Sequence, residues 1–196
     1  MKRFFPVLKH MNIPNLITTL GLLVGMAAIY FVGEASLRGA LFCLFAASFI
    51  DLIDGFIAAK LNQQTRFGTY ADSLVDYFVC CIMPAVIAYT FLGPDIWLLC
   101  GMGLYCVCGM WRLANFNIAA SEKQTHFTGL PVPGAMLFVS IAVWSSVRFG
   151  LPVWAGTAAF ALSGGFMISG IKMKKYGLSQ KILWLVWLAF VVWIMV

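Results

Sequence analysis

Apolar residues run almost without relief along this chain, broken only by short joints carrying Gly, Pro or charge. Seven stretches approach the length of a bilayer crossing: residues 13–33, 37–59, 68–92, 96–118, 132–149, 152–171 and 180–196, the last being the shortest. A hydrocarbon core asks for about 20 mostly apolar residues per helix. Only helices or closed barrels satisfy the backbone in lipid, and barrel strands would alternate apolar with polar residues, which these runs do not. The pattern therefore predicts an all-α, polytopic transmembrane helical bundle of six to seven spans. The joints are brief, so residues 1–196 read as a single domain, with a juxtamembrane segment over 1–12 and the bundle over 13–196.

Two places break the apolar pattern. "DLIDGFIAAK" ends the second run with Asp51 and Asp54, and "FGTYADSLVDYF" opens the third with Asp72 and Asp76. Composition shows how unusual these charges are. The chain of 196 residues is 62% hydrophobic and 10% charged, against about 45–50% and 25% in an ordinary soluble domain. It has only seven acidic residues, and four of them stand in these two stretches.

The N-terminal "MKRFFPVLKHMN" precedes an apolar stretch too long for a signal peptide, with no convincing small-residue cleavage site before Glu34. Residues 2–11 read as a basic, aromatic surface helix at the membrane, followed by a retained first span. The six cysteines (43, 80, 81, 100, 106 and 108) fall inside the spans, where no disulfide framework is expected. The net charge of +6 suits lipid headgroups and topology rather than nucleic acid. With the N-terminus in the cytoplasm, Lys2, Arg3, Lys9, Lys60, Arg66, Arg112, Lys123, Lys172, Lys174, Lys175 and Lys181 lie inside, and only Arg38 and Arg148 outside. Trp97, Trp144 and Trp154 then mark outer ends, and Trp111 and Trp184 inner ends.

That orientation gathers all four carboxylates at one depth beneath the cytoplasmic surface. A carboxylate at a helix centre costs roughly 2.5–3.5 kcal/mol on insertion scales, and four together repel. Asp51 and Asp54 are spaced i, i+3, and Asp72 and Asp76 i, i+4, so each pair shares a helix face. Two antiparallel neighbours can turn those faces together. Hard oxygen ligands without nearby Cys or His in sequence point to Mg, Mn or Ca, completed by substrate phosphate oxygens. Gly55 and Gly68 flank the cluster, where they serve either ligand approach to the backbone or helix packing. Gly21 and Gly25 read as helix packing.

Written out, the pattern is Asp51-x2-Asp54-Gly55-x2-Ala58-x9-Gly68-x3-Asp72-x3-Asp76. It resembles the signature of the CDP-alcohol phosphotransferase family at seven fixed positions. The family usually has Arg after the alanine; this chain has Ala59 and then Lys60. The resemblance implies two divalent cations, Mg or Mn, held by Asp51, Asp54, Asp72 and Asp76. Asp76 would also be the general base on an acceptor hydroxyl. It further implies a CDP-linked lipid, usually CDP-diacylglycerol, at Gly55, Ala58 and Gly68, with Lys60 or Arg66 supplying charge toward a phosphate. Asn15-x2-Thr18 is similar to an element near the nucleotide, and a helix N-cap is the alternative.

"RLANFN" (112–117), "FTGLPVPG" (127–134) and "MISGIKMKKYG" (167–177) resemble the phosphatidylserine synthase branch. This implies serine as acceptor, CMP as product, a homodimer and a prokaryotic inner membrane with the site facing the cytoplasm. Arg112 is the candidate cation for the serine carboxylate, or else a positive-inside anchor. Lys123 and His126 read as solvated loop residues. The alternatives are another acceptor (glycerol 3-phosphate, inositol phosphate or choline), or a non-enzymatic membrane carrier or scaffold.

Overall fold

The computed structural model describes residues 10–121, 126–174 and 178–195. The surface segment expected over residues 2–11 lies outside them up to residue 9, as do Lys123 and Lys175. Eight helices carry nearly all of the described chain: α1 (Ile13–Gly33), α2 (Leu37–Lys60), α3 (Arg66–Tyr77), α4 (Met83–Leu92), α5 (Ile96–Ser121), α6 (Val132–Phe149), α7 (Val153–Met167) and α8 (Leu178–Met195). A π turn over Phe78–Ile82 joins α3 to α4, so Arg66–Leu92 forms one crossing. Among the described residues, five helical runs are long and apolar enough to span a membrane: Ile13–Gly33, Leu37–Lys60, Arg66–Leu92, Ile96–Ala119 and Val132–Phe149. The two remaining expected spans form shorter apolar helices, Val153–Met167 and Leu185–Ile194. The chain is thus a polytopic helical bundle.

Its one departure from all-helix among the described residues is small. β1 (His126–Thr128) pairs antiparallel with β2 (Lys172–Lys174), in the register His126 with Lys174 and Thr128 with Lys172. The sixth run stops being helical at Met167 because the carbonyls of Phe166 and Ile171 receive the amides of Leu130 and Gly129. Residues 126–128, expected as open loop, are consequently strand.

Local chemistry sets the helix ends. Asn12 caps α1 by accepting from the Asn15 amide at 2.9 Å, so the cap is Asn12 and not Asn15 or Thr18. Thr65 caps α3 through the Gly68 amide at 3.0 Å. The C-terminus of α2 closes with Gln63 N–H on the Ala58 carbonyl and Asn62 N–H on the Ala59 carbonyl. Asn62 sits at φ +52. This pairing is a Schellman turn, with Asn in the left-handed position that usually takes Gly. It reverses the chain within five residues and sends α3 back beside α2. α1 lies against the third crossing closely enough that a Cβ on Gly25 would come 2.7 Å from Val79 Cγ2 in the π turn, while a Cβ on Gly21 would come 3.5 Å from Ile50 Cγ2 of α2. The packing role expected of both glycines holds.

The π turn has a cause in the sequence. Pro84 has no N–H to give the Cys80 carbonyl, and its ring would crowd that carbonyl in a regular helix. The wider turn relieves this, with Met83 N–H bonding Phe78 O. The freed carbonyl is taken by the Tyr105 hydroxyl at 2.7 Å, and the Cys106 thiol sits 3.5 Å from Cys81 O. All six cysteines are free, as expected of residues that pack rather than staple.

Candidate active site

Helical rise fixes the depth of each carboxylate. Asp54 and Asp72 both lie six residues from the α2–α3 joint, about 9 Å along their axes, and Asp51 and Asp76 lie about 14–15 Å along. The antiparallel pair therefore sets Asp54 level with Asp72 and Asp51 level with Asp76. Carboxylate oxygens of Asp51, Asp54 and Asp72 lie within 4.8 Å of one another. The Asp51 and Asp72 carboxyls approach to hydrogen-bonding range.

Among the described residues, the charged groups acting on Asp51 are Asp76, Asp72 and Asp54, all negative. Its Oδ1 is buried and has no hydrogen-bond partner among the described residues. An orphaned carboxylate oxygen amid other carboxylates, on an all-oxygen donor set, fits a hard divalent cation. Asp54 is buried and accepts a hydrogen bond from the Thr18 hydroxyl. Asp76 stands just outside the three-carboxylate group, within electrostatic reach of Asp72, Asp54 and Arg112. The Cys80 thiol lies 3.8 Å from its Oδ1.

The other expected site residues separate by what they touch. Gly55 is exposed, with nothing within 4 Å of where a Cβ would stand, so the backbone beside Asp54 is open to a ligand. Gly68 instead packs on α1, where a Cβ would come 2.8 Å from Asn15 Oδ1. Asn15 donates to the His10 carbonyl at 2.7 Å and is tied up in the start of α1. Ala58 is half-buried, while Lys60 and Arg66 are exposed at the two lips of the α2–α3 joint.

Arg112 sits inside the bundle rather than at its edge. Its Nε donates to the Leu130 carbonyl at 3.1 Å, its guanidinium lies 5.5 Å from the Phe116 ring centroid, and it reaches Asp76 electrostatically. Ser73, buried one residue past Asp72, donates to Asn117 Oδ1 at 3.0 Å. That bond pins α3 to the "RLANFN" end of α5. Sequence reasoning misses the Thr18–Asp54 and Ser73–Asn117 links. Their only signal is a polar residue at helical spacing inside an apolar run, which does not show its partner on another helix. A cavity of about 350 Å³ opens beside this site between α1 and α3, with Thr18, Asn15, Phe67 and Ala71 in its wall.

Known proteins resemble this chain along most of its length. It is 35% identical over 126 residues to the CDP-diacylglycerol--serine O-phosphatidyltransferase of Bacillus subtilis (strain 168), covering 63% of this chain and 70% of that one. A protein of the same name from Helicobacter pylori (strain ATCC 700392 / 26695) is 29% identical over 191 residues, 91% of this chain and 80% of its own. A further one from Methanocaldococcus jannaschii is 29% identical over 173 residues, 88% and 78% of the two chains. Residues 11–194 match the family model described as CDP-alcohol phosphatidyltransferase, and the chain belongs to that family.

Proposed function

We propose that this protein transfers the phosphatidyl group of CDP-diacylglycerol to the hydroxyl of serine and releases CMP. The observation that carries this reading is the close group of Asp51, Asp54 and Asp72, with no cation among the described residues acting on Asp51 and with Arg112 within electrostatic reach of Asp76. The relatives named above supply the acceptor.

Asp51, Asp54 and Asp72 would hold two divalent cations, Mg or Mn, with Asp76 completing the set. Bound there, such a metal pair neutralises the diphosphate and stabilises both attacking and leaving oxygens. Thr18 orients Asp54. The open backbone at Gly55 admits the diphosphate, and Lys60 and Arg66 at the lip supply positive charge for its outer oxygens. Lys60 presents a single ammonium and not the planar fork an Arg at position 59 would give.

Asp76 accepts the proton of the serine hydroxyl. The serine oxygen forms its bond to the lipid-side phosphorus as the bond from that phosphorus to the CMP oxygen breaks. Arg112 pairs with the serine carboxylate. Excess Lys and Arg on one side supports a site facing the cytoplasm of a prokaryotic inner membrane, and the family supports a homodimer.

One assay tests this. Purified protein with CDP-diacylglycerol and Mn is offered serine, inositol, glycerol 3-phosphate and choline separately, and CMP release is measured. Release with serine is expected. Release with another alcohol alone overturns the acceptor, and no acceptor-dependent release returns the chain to a carrier or scaffold.

A further inference from the structure

The acidic site gives no task to "FTGLPVPG", yet its backbone is tightly constrained. Gly129 is buried and left-handed at φ +80, and a Cβ there would overlap the Met167 carbonyl. Any other residue is strained at that dihedral and blocked by backbone that cannot yield. Its amide donates to the Ile171 carbonyl at 2.9 Å, and the next amide, of Leu130, donates to the Phe166 carbonyl at 3.0 Å. The pairing of β1 with β2 continues the same clasp for three residues. Leu130 precedes Pro131, which confines it to extended backbone and so fixes the direction of its carbonyl. That carbonyl receives Arg112 Nε.

We propose that Gly129 is a positioning residue for the acceptor site. The clasp of β1, Gly129–Leu130 and β2 presents the Leu130 carbonyl to Arg112 and so aims the remaining guanidinium nitrogens. An arginine side chain has several rotors, and on a flat helix face it would sweep a wide arc. One fixed acceptor at Nε together with the Phe116 ring removes most of that freedom and leaves the forked Nη pair to meet a carboxylate. This inference rests on reading Arg112 as the acceptor cation.

The experiment is a double-mutant cycle on the whole protein, reading the KM for serine and, separately, the affinity for CDP-diacylglycerol with Mn. Arg112→Lys keeps the charge and loses the Nε donor. Gly129→Ala disturbs the clasp. Pro131→Ala relaxes Leu130 with no added bulk, and it serves if Gly129→Ala does not fold. Each single variant is expected to raise the serine KM, by roughly tenfold or more for Gly129→Ala and less for Pro131→Ala. Affinity for the CDP-lipid should stay within about twofold of the parent. Combined with Arg112→Lys, neither clasp variant should add its full factor, because both act through the same link. An unchanged serine KM in Arg112→Lys removes Arg112 from the acceptor site and the inference with it. Full multiplication of the factors, or equal losses in serine and CDP-lipid binding, leaves Arg112 in place and overturns the role of Gly129.

Discussion

Two regions bring charge into this bundle, and they do it by opposite means. The α2–α3 pair carries its carboxylates on regular helices, at i, i+3 and i, i+4, and a short reversal makes them converge. The α5–α6 side brings Arg112 within electrostatic reach of Asp76, and its place depends on irregular backbone 17 residues and more along the chain, at Gly129 and Leu130. The anionic half is a product of helical period. The cationic half is a product of loop geometry. Damage to the first should therefore be chemical and severe, while damage to the second should be a matter of aim.

The sharpest contrast comes from Asp76→Asn. The side chain keeps its shape and the helix keeps its face, but the group can no longer take a proton. CMP release is expected to fall by about 10²–10⁴-fold, the range for losing a general base. The protein should remain folded in detergent, as seen by circular dichroism. A rate near that of the parent would remove Asp76 as base and would leave three carboxylates as a purely metal-holding group.

Thr18→Val tests whether the support around the anionic half reaches as far as α1. The hydroxyl that bonds Asp54 becomes a methyl of the same size in a buried position. Losing an orienting partner of a metal ligand typically costs about 10–100-fold in metal affinity or activity. The expected result is a higher Mn concentration at half-maximal rate. If instead the KM for CDP-diacylglycerol rises and the Mn dependence does not move, Thr18 touches the lipid nucleotide, the role its sequence motif suggests.

The same contrast explains which features are legible in the sequence alone. Asp51, Asp54, Asp72 and Asp76 are legible because a carboxylate in an apolar run is conspicuous and helical spacing is arithmetic. Span limits are legible to within three residues for α1 through α6, since bilayer thickness fixes them. The end of α7 is not, because Ile168–Ile171 lies in an apolar run and leaves the helical path through bonds to Gly129 and Leu130. Arg112 stands out as a cation at the right depth, but its sequence context does not reveal the backbone partner of its Nε. The motif around Thr18 points to the nucleotide, since nothing in one helix reveals which residue it faces on the next. Gly68, which flanks the acids in sequence, admits α1 rather than a ligand.

The smallest expected effect lies between the two regions, at the π turn that follows Asp76. Tyr105→Phe leaves the ring edge-on against Phe160, 5.2 Å between centroids, and removes only the hydroxyl that serves Cys80 O. Pro84 cannot replace it, having no N–H, and the carbonyl is buried with both residues. An unpaired buried carbonyl costs about 1–3 kcal/mol, though hydrogen bonds between membrane helices average nearer about 0.6. A loss of about 1 kcal/mol, read as a lower unfolding midpoint in detergent, is the expected outcome, with turnover changed less than about twofold. The reason is geometric. Asp72 and Asp76 are set by α3, which is capped by Thr65 and pinned to α5 by Ser73, so they keep their register while the helix beyond them loosens. A collapse of turnover with an unchanged midpoint would mean the reverse, that the turn itself holds Asp76 in place and that irregular backbone serves the anionic half as well.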